Sequence, residues 1–217
     1  MRLILFLLIA FSNLASAQPT MSIHTDGKTL WLENHGFGLP EVEKLETLFH
    51  ANRDLTAIHL RNIDGGNHIA EKVLFTKFAN KRIEVHGRCL SMCSILALTG
   101  DPLVLSPDAV LAFHGFHGPD GTLNEELSLT FLDWLSSRLR TVPREALRTA
   151  LTFPRKDDQG LLVRPANDGS GLIAVDLCQR LPDQCKRVRY IGPGESRMTL
   201  ADPTAMSSTP TTARAAP

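Results

Sequence analysis

Short apolar runs alternating with amphipathic segments, each closed by a turn-forming residue, constrain this chain more than any other feature. Ser22–Thr25 and Thr29–Glu33 flank Asp26-Gly27, a pair that tolerates the positive φ of a tight hairpin turn. Pro40 opens a helical pattern that runs to Asn52, with Val42, Leu45, Leu48 and Phe49 on one face. Leu55–Arg61 alternates as a strand and ends at Asp64-Gly65-Gly66, after which Ile69, Val73, Leu74, Phe78 and Ala79 mark a second amphipathic helix. A short strand over Arg82–His86 stops at Gly87, and Ser91–Thr99 is an almost wholly apolar helix closed by Gly100. Leu103–Leu105 and Ala109–Phe113 are two further strands. A long helix is expected over Leu123–Arg140, its side chains Leu127, Phe131, Trp134, Leu135 and Leu139 packing on the same chain, and Pro143 starts another that reaches Leu151. Helices spaced between short apolar strands supply the crossovers that parallel pairing needs, so the chain predicts an α/β fold with right-handed connections. Beyond Phe153 the pattern weakens.

The two ends differ from this middle. Met1-Arg2, the apolar run Leu3–Phe11 and Ala15-Ser16-Ala17 follow the order of a secretory signal peptide, with cleavage expected after Ala17. The apolar run falls short of the roughly 20 residues that cross a bilayer, so export to the periplasm or beyond is expected, an uncleaved membrane anchor being the alternative. Residues 196–217 are mostly Ala, Thr, Ser and Pro and predict a disordered tail. One domain over residues 18–195 is left. The whole chain has 217 residues, 43% hydrophobic, enough for one buried core. Lys+Arg and Asp+Glu are 23 each, and that balance argues against a nucleic-acid partner.

Export lets Cys89, Cys93, Cys178 and Cys185 pair, with three connectivities open. Cys178 and Cys185 flank Leu181-Pro182-Asp183 and can close a local loop. Cys89 and Cys93 would stand about 5–6 Å apart on a regular helix, beyond disulfide reach, so that pair bonds only if its segment begins outside the helix. Neither spacing is that of a zinc knuckle.

Chemistry concentrates in Gly87-Arg88-Cys89-Leu90-Ser91-Met92-Cys93-Ser94, where a strand gives way to an apolar helix. A serine at that corner faces unpaired backbone N–H groups, the placement a nucleophile needs; Ser is also a good helix cap. Ala109–Phe113 delivers His114 at a strand end, where a neutral imidazole can take a serine proton. Asp64-Gly65-Gly66 lets backbone N–H groups approach a ligand closely. His86 and His117 are candidate metal ligands, but no supporting acidic spacing accompanies them, so neither a metal nor a cofactor is expected. Lys72, Lys77 and Lys81 have no positional support as a base.

The order of these motifs resembles the Clp proteolytic subunit and the wider crotonase-like superfamily. It is most similar to exported Clp-like proteins with a G-x-C-x-S-x-C motif. Gly87–Met92 matches the peptidase nucleophile segment at its Ser-Met step, Leu111–His114 matches the strand that ends in the peptidase histidine, and Asp64-Gly65-Gly66 matches the oxyanion turn without its proline. The resemblance covers roughly residues 55–118. It implies a ββα superhelix with a mainly parallel core sheet and flanking C-terminal helices. It also implies Ser91 as nucleophile, His114 as base, and Gly66 and Met92 as oxyanion donors. Gly171–Asp176 loosely echoes the segment after the peptidase acid, placing that acid at Asp158 or Asp157. Cys93 replaces the family glycine. Relatives assemble into trimers or rings, so a homo-oligomer is compatible with the resemblance, whereas no ATP-driven unfoldase is expected beside an exported protein.

Three functions follow. The first is a serine hydrolase acting on a peptide or another acyl substrate. The second is a non-catalytic binding or scaffold protein on the same fold, because fold constrains activity weakly. The third is thiol chemistry at Cys89 or Cys93, which needs a reduced thiolate in an oxidising compartment.

Overall fold

The computed structural model describes residues 20–66, 68–118, 120–154, 160–180 and 184–201. Its first half runs β1 (Ser22–Thr25), β2 (Thr29–Glu33), α1 (Leu39–Ala51), β3 (Ala57–Ile63), α2 (His68–Phe78), β4 (Arg82–Leu90) and α3 (Met92–Ala97). β5 (Leu103–Leu105) and β6 (Val110–Phe113) follow, then α4 (Glu125–Thr130), α5 (Leu132–Arg138) and α6 (Arg144–Thr152). β7 (Gly160–Pro165), β8 (Ile173–Arg180), β9 (Gln184–Ile191) and β10 (Met198–Leu200) complete it.

The fold is mixed α/β around a mostly parallel central sheet. β1 and β2 form the expected antiparallel hairpin, and β2, β3, β4 and β5 pair in parallel. Alternate residues of these strands turn inward: Leu30, Leu32, Ile58, Leu60, Ile83 and Val85 are fully buried, and Val42, Leu45, Phe49, Leu74 and Phe78 of α1 and α2 join the same core. Phe78 is the hub of this layer, its ring 6.3 Å from Phe37 and 5.9 Å from Phe49.

β4 is where the sheet changes partners. Ile83–Val85 pair with β5, whereas Arg88–Leu90 pair with β6, and the β3–β4 register shifts between Arg61 and Ile63. Gly87, at φ +61, sits at that change, where a Cβ would fall 2.2 Å from Asn62 Oδ1. The glycine expected to stop the strand instead lets it bend and continue to Leu90.

Three further expectations change. The helix over Leu123–Arg140 is broken into α4 and α5. The Phe131 N–H bonds the Ser128 carbonyl three residues back, and Ser128 Oγ bonds the Asn124 carbonyl, a back-bonding that bends helices. Leu135 is buried in the main core as expected, with Phe131 and Trp134 partly buried against it. The weakly patterned stretch after Phe153 holds β7, β8 and β9, which extend the sheet antiparallel from β6; the C-terminal part is therefore strand as well as helix. Finally, β10 pairs in parallel with β5, Met198 is buried, and Arg197 pairs with Asp101 at 2.6 Å. The folded unit thus runs past Ser196, into the stretch expected to be tail. The leader and residues 202–217 lie outside the described residues.

Both cysteine pairs are closed, Cys89–Cys93 and Cys178–Cys185. Cys89 lies on β4 and Cys93 on α3, so the geometric condition for the first pair is met and their Cα atoms are 5.2 Å apart. Cys178 and Cys185 face each other across the β8–β9 hairpin.

Candidate active site

Ser91 stands between β4 and α3 with φ +54 and ψ −119. An L-residue held in a backbone region that favours glycine costs roughly 1–3 kcal/mol and persists only where its surroundings enforce it. The contacts around it do so. The Ser91 N–H donates to the Ala112 carbonyl on β6 at 2.8 Å. The Cys89–Cys93 bond closes the corner on both sides of Ser91, and both cysteines are fully buried. Ser94, buried one turn into the helix, accepts the Ala112 N–H at 3.0 Å, and its hydroxyl faces the carbonyls of Cys89 and Ala112. The Ser91 side chain makes no capping bond to α3, so the capping alternative is not what the structure adopts.

The Gly-Gly turn lies against this corner. A Cβ on Gly65 would sit 3.0 Å from the Ser91 Cβ and 3.6 Å from the Met92 nitrogen; one on Gly66 would fall 2.5 Å from the Phe37 carbonyl oxygen. Gly66 is therefore pinned by the Phe37 backbone, whose N–H donates to the Gly65 carbonyl at 2.6 Å. Gly65 is thus the glycine whose Cα lies against the Ser91 side chain. Asp64 and Arg88 form a two-point ion pair at 2.6 and 3.1 Å, fastening the Gly-Gly turn to the motif strand. Both are well exposed, so the pair orients more than it stabilises.

His114 follows directly on β6 and lines, with Ser91, a crevice walled by Ile95, Phe113, Phe131, Trp134, Leu135 and Leu151. The crevice has room for about one water molecule. His114 Nδ1 lies 2.6 Å from the Gly115 carbonyl. A carbonyl only accepts, so in the neutral ring Nδ1 carries the proton and Nε2 the lone pair. His117 Nδ1 reaches the same carbonyl at 2.9 Å, and its Nε2 is buried without a partner among the described residues. Asp157 and Asp158 lie outside the described residues. No free thiol exists among the described residues, which removes Cys89 and Cys93 as nucleophiles in this state.

A second group lies away from the serine. His59, Glu84 and His86 converge on the outer face of β3 and β4, their donor atoms all within 4.8 Å of one another. The fold separates His86 from His117: His86 stands with His59 and Glu84, and His117 beside His114, 5.8 Å between ring centres. Burial pushes the His59 imidazole below its ordinary pKa, and Glu84 opposes that shift. Sequence spacing missed His59 because it lies on another strand. Register was the only signal that could have found it.

No family model matches the chain, and no curated protein matches it. Among solved structures it is similar to ClpP1 from Listeria monocytogenes, at 12% identity and a TM-score of 0.47, over 58% of this chain and 79% of that one. It is also similar to an enoyl-CoA hydratase/isomerase from Marinobacter aquaeolei, at 14% identity and a TM-score of 0.43, over 62% and 63% of the two chains. A membrane-bound stomatin-specific protease, in a mutant form, matches at 11% identity and a TM-score of 0.38, over 58% and 70%. The match spans less than two thirds of the hydratase/isomerase.

Proposed function

We propose that the chain is an exported serine hydrolase of the Clp-like, G-x-C-x-S-x-C type, acting on a peptide or another acyl substrate. The observation that carries this reading is the placement of Ser91: a backbone-strained serine without a capping bond, sharing one crevice with His114 and abutted by the Gly-Gly turn. In this reading Ser91 Oγ attacks the acyl carbon while His114 Nε2 takes the hydroxyl proton. The carbonyl oxygen becomes an oxyanion held by the N–H groups of Gly66 and Met92. His114 then returns the proton to the departing amine or alcohol, and water releases the acyl group by the same route. Asp158 or Asp157 is the proposed acid, and the Gly115 carbonyl supplies a neutral orienting contact to Nδ1.

The tightness of the crevice favours the second reading, a non-catalytic binding protein on the same fold, because a substrate side chain needs more space than one water. A fluorophosphonate probe followed by intact-mass measurement decides between them. The hydrolase reading expects one adduct on the wild type, none on Ser91→Ala and a slowed one on His114→Ala, all three chains remaining folded. No adduct on a folded, oxidised wild type overturns it.

A further inference from the structure

Glu84 and His86 are two apart on β4 and so project from one face, and His59 is the direct cross-strand partner of Glu84 on β3. This is the face opposite the buried Ile58, Leu60, Ile83 and Val85. His86 Nε2 is 3.2 Å from Glu84 Oε1, and the two imidazole rings are nearly parallel, 5.8 Å apart. His59 Nε2 is 4.0 Å from Glu84 Oε2, so it faces the group without a hydrogen bond to that oxygen. The side chains of His59, Glu84 and His86 are 29%, 14% and 14% exposed, which keeps them oriented yet reachable from solvent. Trp31 walls the far side, its ring 5.7 Å from His59, and His24 stacks on Trp31 at 4.9 Å.

We propose that His59, Glu84 and His86 form a divalent-metal site of the zinc class, cross-linking β3 to β4. Two imidazoles and one carboxylate are a donor set zinc accepts, with a water completing four-coordination. A cation with bonds of about 2.1 Å holds its donors about 3.4 Å apart. The His86–Glu84 pair already meets that spacing, and small side-chain rotations bring in His59. Arg82, on Glu84 Oε2 at 3.4 Å, competes for one carboxylate oxygen and leaves Oε1 to the metal. It is 52% exposed and can swing away. Asp108 lies within electrostatic reach of His86 and accepts a hydrogen bond from the Ser106 hydroxyl.

The test is zinc titration by calorimetry on the full chain, expressed with its own leader and purified without a polyhistidine tag. One equivalent is expected on the wild type. Glu84→Gln, which keeps the side-chain shape, is expected to weaken it about tenfold or more, and a His59→Gln, His86→Gln double variant to abolish it. His117→Ala is expected to bind as the wild type does. Cobalt in place of zinc is expected to give the visible bands of a four-coordinate site, lost in Glu84→Gln. A wild type that takes up no zinc overturns the site, as does a Glu84→Gln chain that binds zinc and colours with cobalt unchanged. Loss of binding in His117→Ala moves the site to the His114–His117 pair and overturns it equally. None of these readouts depends on acyl transfer.

Discussion

The two disulfides are both short-range, separated by 4 and 7 residues, yet they sit in regions built on different principles. Cys89–Cys93 joins a strand to the helix after it, with both residues fully buried and a strained serine between them. Cys178–Cys185 joins two strands already paired in register across a hairpin. That hairpin has a second fastening. Asp176, buried on β8, is bound by Arg187 on β9 and by Arg164 on β7, the latter at 3.1 Å, and Arg187 also lies over the Tyr190 ring at 4.4 Å. Loop closure alone assigns about 2 kcal/mol to either bond. What differs is redundancy: in the hairpin both cysteines sit on paired strands with ion pairs beside them, whereas at the serine corner only Cys89 is on a paired strand and Ser91 and Cys93 lie beyond its end.

The largest expected effect follows from that difference. Cys89→Ala with Cys93→Ala is expected to cut probe labelling of Ser91 about 100-fold, because a shift of about 1 Å at a reacting group costs that much. It should also lower stability by about 3–5 kcal/mol, through lost closure and core packing. Cys178→Ala with Cys185→Ala is expected to cost about 2 kcal/mol and leave labelling unchanged. Equal labelling in both double variants, measured beside urea unfolding curves, would break the comparison.

Next in size, Asp176→Asn leaves two arginines without their shared counter-charge. A loss of about 2 kcal/mol is expected, reduced from the fully buried case because both arginines are about one third exposed. Labelling at Ser91 should not change. Ser94→Ala is the matching change at the serine corner. It removes the hydroxyl that accepts the Ala112 N–H, costs about 1–3 kcal/mol, and should slow labelling because α3 loses its tie to β6. Should Ser94→Ala destabilise the chain yet label at the wild-type rate, Ser94 is a packing residue and does not position the nucleophile.

The smallest effect has the opposite sign. Ser91→Gly relieves the positive-φ backbone and is expected to raise stability by about 1 kcal/mol while abolishing labelling. A thermal melt that falls would mean that Ser91 contributes more to the fold than it costs.

Much of the first half of the fold was legible because local pattern and tertiary role coincide there. α1 and α2 were recognisable from one apolar face, and β1–β2 from alternation around Asp26-Gly27. The strand-to-helix corner at Ser91 was legible for the same reason, because an apolar strand gives way there to an apolar helix, whereas the choice between helix cap and nucleophile was not, since either use puts a serine at that junction. Other elements were not legible. β7–β9 carry arginines and aspartate on strand positions, and their alternation is masked because Asp176 is buried by its ion partners rather than by apolar neighbours. The break at Phe131 depends on Ser128 bonding backward and meeting Phe116 from another segment. Gly65, Ser94 and His59 acquire their roles from neighbours on other strands or turns, and spacing along the chain carries no trace of those.

By itself the sequence determined the alternation of strands and helices, the placement of Ser91 and His114 at element ends, and the presence of four cysteines able to pair. Periodicity and turn chemistry are local properties, set by residues a few positions apart. Tertiary structure alone decided that β4 changes partners at Gly87 and that the Gly65 Cα lies against the Ser91 side chain. It also decided that Cys89 reaches Cys93 and that His59 stands opposite Glu84. Each of these depends on which strand lies beside which, and that is settled by how the whole chain buries its apolar faces at once.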